Sequence, residues 1–332
     1  LSGTRRAMFA AKQTRPGGIV MMSSRKLTWM GAAVLALAAI PASAQDGILY
    51  AWAPRPVPMT AWNAPNKPIW RLSEIVAAHK GQKSWHQTIV KDQDYTGAYI
   101  QMAPGEKTKT QFWADDRVFW YIAAGQVRFT IQGQQPFVAG KGFLVQAPFR
   151  TPYSLETVGS EPSLRFEVTR SGRTPLYPAE GNAAAPTAPG KDYIKVSYRT
   201  GPDPYTAANK PYADFSGDFV KRPPAPGNHP AVIDSNNFMN IIRGKGMPTP
   251  PDSNKGHFHT DYNEFWVIAE GTVDYKREGM PVFTAGVGDV VYAPQGRWHR
   301  ASWAGNGMST RIAINPRPEG LHNFDADAGA KQ

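Results

Sequence analysis

Apolar residues in this chain come in short bursts rather than in long helical stripes. The runs GAYIQMA (97–103), VFWYIAAG (118–125), QVRFTIQG (126–133) and GFLVQAP (142–148) are each bounded by turn residues. A second series follows: FMNIIRG (238–244), EFWVIAEG (264–271), TVDYKREG (272–279), DVVYAP (289–294) and TRIAINP (310–316). Runs of this length, rich in aromatic and β-branched residues, predict β-strands. The one helical pattern, WRLSEIVAAHKG, predicts a helix over 70–81 with Gly81 as its stop. The stretch 171–190, with NAAAPTAPG, reads as a linker, and the Pro-rich segment 45–68 as extended chain on the surface.

The two series are copies of each other. FWYIAAG at 119–125 and FWVIAEG at 265–271 are 146 positions apart, and the same shift lays Phe137 on Phe283, Gly142 on Gly288 and Ala147-Pro148 on Ala293-Pro294. No gap is needed from Gln111 to Tyr153. Asn66-Lys67-Pro68 recurs at Asn209-Lys210-Pro211, so the lead-in segments repeat as well. The chain therefore holds two copies of one β-module. High Gly and Pro (31 and 30 in 332 residues) agree with a turn-rich, all-β protein.

Six of the 37 basic residues and none of the 26 acidic ones lie in the first 44 positions, so the balance beyond them is only +5. No basic run rises above the background after Ala44, and no nucleic-acid partner is expected. From Met22 the chain has a positive stretch (Arg25, Lys26), an apolar segment from Leu27 to Ile40 and Ala42-Ser43-Ala44, the layout of a signal peptide cut before Gln45. The apolar segment is short of the ~20 residues that span a bilayer. A periplasmic or secreted protein is expected, with no membrane association after cleavage; residues 1–21 precede a start at Met21 or Met22 and stand outside the fold. There is no cysteine, so a metal site must draw on His, Asp or Glu.

Such a set is visible. In a strand, residues two apart share a face, so His257 and His259 point one way. Glu264 follows a turn, and Pro294 and Gly296 can aim His299 inward from another strand. These four suit one divalent transition metal: Fe, Mn, Ni, Co or Zn. His257-x-His259, four residues, Glu264, six residues, Gly271, followed by Gly288, five residues, Pro294-x-Gly296, two residues, His299, resembles the two motifs of the cupin superfamily. Two fixed positions depart: Pro251 stands where the first motif opens with glycine, and Trp303 where the second closes with asparagine. The resemblance implies a bicupin of two double-stranded β-helix, jelly-roll-like barrels with few short helices. Its limits divide the chain into an upstream extension and signal peptide (1–44), a lead-in (45–89), a degenerate barrel (90–170), a linker and second lead-in (171–229), a metal-binding barrel (230–318) and a tail (319–332).

In the first copy the four ligand positions fall on Gln111, Trp113, Val118 and Tyr153, and Arg150 replaces the turn glycine. That barrel is expected to be metal-free, filled by bulky side chains, and to pack on the second or line a homodimer interface. Trp266 and Ile268 share the inward parity of Glu264. Tyr262 is a candidate acid or base, or a loop residue facing solvent; Arg297 is a candidate for holding a substrate carboxylate, or a surface residue. His79, His86, His229 and His322 lack ligand spacing and read as surface or capping residues. The resemblance implies a metal-dependent enzyme acting on a small acidic or oxygenated molecule, with dioxygenase chemistry favoured because one-sited bicupins occur there. An oxalate-decarboxylase-like role is disfavoured because such bicupins usually keep ligands in both copies. A decarboxylase, lyase or isomerase, a non-catalytic binding module and a purely structural metal remain the alternatives.

Overall fold

The computed structural model describes residues 51–180, 184–199, 205–206, 209–222, 224–246, 256–316 and 322–323. The signal-peptide segment lies outside them. Every strand pairing is antiparallel. In the first module a large sheet runs, in spatial order, through Phe143–Ala147, Val118–Ala124, Ser163–Arg170, Tyr95–Met102 and Trp85–Lys91. A small sheet of Phe137–Gly140, Gln126–Ile131 and Tyr153–Val158 faces it. The second module repeats this with Val290–Ala293, Glu264–Glu270, Ser309–Asn315, Phe238–Gly244 and Gly227–Ile233, faced by Met280–Ala285, Val273–Arg277 and His299–Trp303. The protein is thus all-β, two barrels with few helices. No helix among the described residues is long and apolar enough to cross a membrane.

Strand parity builds three cores. Alternate side chains of Val118–Ala124 and Glu264–Glu270 point opposite ways. Trp120 and Ile122 fill the first barrel, with Phe129 and Tyr153. Trp266 and Ile268 fill the second, with Val273 and Tyr275. The other parity, Phe119 and Tyr121, Phe265 and Val267, forms a third core in which the two large sheets bury each other. Its centre is aromatic: Phe265 meets Tyr95 edge-on at 5.8 Å and Phe166 at 6.3 Å. The Tyr95 hydroxyl, fully buried there, has one proton to donate and two second-module acceptors at 3.0 Å, Asn237 Oδ1 and Asn315 O. The sheets read as continuous apolar runs because both of their faces are covered.

The helix is shorter than its sequence pattern, Leu72–Ala78, because Ile69–Trp70 are drawn into a strand against Val290–Val291 of the second barrel. The second lead-in does the converse: Tyr212–Asp214 pair with Phe143–Val145 of the first barrel. The repeated Asn-Lys-Pro explains the exchange. Asn66 clamps the Lys91 backbone of its own barrel through both amide atoms, at 2.7 and 2.8 Å. Asn209 does the same to Ile233, at 2.7 and 2.9 Å. Two residues on, Pro68 O accepts from Tyr292 N, and Pro211 O from Gln146 N, each across to the other barrel. Each lead-in is thus moored to its own module before it crosses.

The motif glycines are dictated by close approach. Gly271 has φ +63°, and a Cβ there would lie 2.6 Å from Met308 O. At the turn before the second motif's histidine, Gly296 has φ +76°, whereas its first-copy counterpart Arg150 is the one described non-glycine residue at positive φ.

Phe265→Ala is expected to cost about 3–5 kcal/mol, the range for emptying a buried phenylalanine site, because it opens a cavity between the sheets. Chemical denaturation measures it; a loss below about 1 kcal/mol would show that this core does not hold the modules together.

Candidate metal centre

The second barrel brings its four donors together by backbone register. His257 and His299 form an antiparallel bridge in which each N–H donates to the other's carbonyl, both at 2.9 Å. Glu264 opens the strand that pairs with Val290–Ala293, directly across from Ala293. One ligand atom from each of His257, His259, Glu264 and His299 lies within 4.8 Å of all the others. Glu264 Oε2 is 2.9 Å from His259 Nε2, 3.4 Å from His299 Nε2 and 3.9 Å from His257 Nε2, and the last two nitrogens are 3.1 Å apart. Metal–donor bonds of ~2.1 Å place neighbouring donors roughly 3.0–3.4 Å apart and opposed ones roughly 4.2 Å. The four spacings, from 2.9 to 3.9 Å, lie near or between those values, so the residues fit a mononuclear cation held by three nitrogens and one carboxylate.

The protonation states suit it too. Burial alone would raise the Glu264 carboxyl, but its three imidazole neighbours outweigh burial and hold it well below the usual carboxylate range. Burial pushes the imidazoles of His257 and His299 down to about 4, against a partial offset from Glu264. At neutral pH these two rings are neutral and the carboxylate is charged, the forms a metal requires. His299 Nδ1 donates to Arg297 O at 3.0 Å, which leaves Nε2 free of its proton and aimed at the centre. His259, Glu264 and His299 are buried; His257, with 19% of its side chain exposed, marks the mouth.

Tyr262 is buried rather than solvent-facing, and its ring stacks on His259 at 4.2 Å. Arg297 is also buried. Its guanidinium donates to Thr60 O through Nε and Nη2 (3.1 and 2.6 Å) and to Glu278 O through Nη1 (2.8 Å), and it lies 3.8 Å from the Trp62 ring. It fastens the Pro-rich lead-in onto the second barrel. His322 is exposed, as expected of it, yet its ring sits 4.4 Å from His257 and 5.1 Å from His259. It is carried there because Asn323 bridges Phe258, the residue between the two ligand histidines, with hydrogen bonds of 3.0 and 3.1 Å. Nothing in the spacing of the motif foretells a residue delivered by the tail.

The first barrel keeps the same backbone and fills the same place. Gln111 and Tyr153 form the counterpart of the His257–His299 bridge, at 2.9 and 2.8 Å. The Tyr153 hydroxyl then accepts from Gln111 Nε2 and Trp113 Nε1, both at 3.0 Å. Three of the four positions that carry ligands in the second copy are here hydrogen-bonded to one another.

Residues 248–314 match the family model of the cupin domain. Among solved structures, a cupin 2 conserved barrel domain protein from Leptotrichia buccalis is similar over 75% of this chain and 96% of its own, at 14% identity and TM-score 0.49. A deletion mutant of Bacillus subtilis oxalate decarboxylase is similar over 79% and 80%, at 14% identity and TM-score 0.48. No curated protein matches the sequence. The cupin domain match spans all four donors.

His257→Ala and His299→Ala are each expected to abolish stoichiometric metal, while Tyr153→Ala keeps it; elemental analysis of purified protein decides, and retention in either histidine variant would refute the centre. Arg297→Ala is expected to speed proteolytic cutting within 51–68 with metal content unchanged. Loss of metal there, without faster cutting, would mean that Arg297 serves the site instead of the lead-in.

Proposed function

We propose that this chain is an exported, metal-dependent small-molecule enzyme with its centre in the C-terminal barrel, oxidising a small acidic or oxygenated compound with O2. The observation that carries the reading is the convergence of His257, His259, Glu264 and His299 within 4.8 Å in a largely buried setting. Four protein donors leave positions on a six-coordinate ion, where a bound transition metal would serve as Lewis acid and template for substrate or O2.

The chain's own residues do the rest. Glu264 supplies the one negative charge among the donors. The Arg297 carbonyl holds His299 in the tautomer that presents Nε2. Tyr262 acts through His259, whose ring it stacks upon and keeps in place. Trp266, 5.1 Å from His299, and Ile268 below it keep water from the floor of the site, which strengthens every charge interaction there. The first barrel contributes structure: its large sheet covers that of the second. Export rests on the pattern from Met22 to Ala44, and N-terminal sequencing of protein recovered outside the cytoplasm should begin at Gln45.

The test is turnover of a panel of carboxylic and phenolic compounds, with product analysis and an O2 electrode. Expected is one O2 consumed per substrate, lost on chelation and restored by the metal found in protein from its native host. Equal turnover without O2 would replace oxidation by decarboxylase, lyase or isomerase chemistry on the same centre. Saturable binding with no conversion would make the chain a binding module.

A further inference from the structure

One cation inside the second barrel has no hydrogen-bonded or ion-paired partner among the described residues. Arg277 is 1% exposed, and none of its three guanidinium nitrogens has a hydrogen-bond partner among the described residues. Its surroundings are the rings of Phe283, Trp266, Trp62 and Tyr275, at 5.6, 5.8, 5.9 and 5.9 Å from the guanidinium carbon. Those contacts lie at the outer limit of cation–π attraction. Rings so placed leave five N–H donors without acceptors, and buried donors left that way are costly. Burial pushes the guanidinium down to about 9, so it is still charged at neutral pH.

Its position ties it to the metal donors. Arg277 stands directly opposite His299 in the pairing of Val273–Arg277 with His299–Trp303. Trp266, which touches His299, is one of the rings around it, and Glu264 is close enough to favour its charged form. With a divalent ion on one carboxylate and neutral imidazoles, this end of the barrel would hold surplus positive charge, a setting that calls for an anion. The duplicated barrel offers an internal control. The residue opposite Tyr153, which replaces His299 there, is Ile131, the counterpart of Arg277 under the shift of 146. The buried guanidinium occurs in the copy that has metal donors, and an aliphatic side chain takes its place in the copy that has none.

The geometry points to Arg277 as the anion subsite of the second barrel, taking the carboxylate of a small organic acid on its planar fork while the rest of the molecule faces the metal donors. This rests on the metal-centre reading above and narrows its substrate to a carboxylate small enough to sit among the aromatic rings.

The test is calorimetric titration of acetate, with neutral acetamide as control, into the full-length mature protein, metal-loaded and metal-stripped. Expected is saturable acetate binding to both forms and none of acetamide. Arg277→Met should weaken acetate at least tenfold with metal stoichiometry unchanged, and Arg277→Lys should fall between. Should Arg277→Met fail to fold, the Arg277→Lys titration and the arginine side-chain 15N resonances of the wild-type protein carry the test, one buried guanidinium shifting with acetate. Equal acetate affinity in metal-loaded wild-type and Arg277→Met proteins, or acetamide binding as tightly as acetate, would overturn the subsite and leave the metal centre standing. Acetate binding that depends on Arg277 in a protein that takes up no metal would do the reverse.

Discussion

The arrangement depends on one backbone pairing, the reciprocal hydrogen bonds between His257 and His299. Two residues 42 positions apart are fixed opposite each other, and neighbouring strands then leave their side chains no choice but to share a face. Glu264 is brought to the same point by its register across from Ala293. Two buried imidazoles, a third at the mouth and a buried carboxylate cost free energy to assemble unless they satisfy one another or a cation. The rigid ladder holds them together against that cost.

Duplication explains how such a centre is supported. The two large sheets hide each other's outer faces, so neither barrel presents an apolar sheet to water. The exchanged lead-in strands add hydrogen bonds at opposite edges, one onto Val290–Val291 and one onto Phe143–Val145. Each covers a sheet edge that would otherwise invite pairing with another chain. The first barrel keeps the strand order of the second and the counterpart bridge Gln111–Tyr153, while its interior is closed by a tyrosine hydroxyl that receives two side-chain donors.

Polar groups inside the second barrel divide into two kinds. Arg297 has its N–H groups engaged by Thr60 and Glu278 carbonyls, so its charge is absorbed in holding the lead-in. Arg277 is equally hidden, has aromatic rings around its guanidinium and no hydrogen-bond partner among the described residues. Sequence position does not separate the two arginines, since each lies close to a ligand in the chain or across a strand pair; their hydrogen-bond partners do.

Much of this was legible in the residues themselves. Short aromatic and β-branched runs between turns marked the strands, and strand parity told Trp266 and Ile268 from Phe265 and Val267, because a strand's side chains have only two sides to choose from. The 146-residue shift exposed the duplication, and motif spacing picked out His257, His259, Glu264 and His299. Distances in a ladder are set by counting residues, which is why spacing sufficed. Other features had no local signal. That Ile69–Trp70 leave the helix for the other barrel depends on a free sheet edge more than 200 residues away. That Tyr262 is buried depends on how its loop packs, and that His322 stands beside the ligands depends on the pairing of Asn323 with Phe258. Ile131 and Arg277 differ visibly in the alignment of the copies, yet only packing shows that the arginine is enclosed without a hydrogen-bond partner among the described residues. Backbone pairing is periodic and so is written in the sequence; the meeting of segments remote from one another is decided by the shape they close around, and only the tertiary structure contains it.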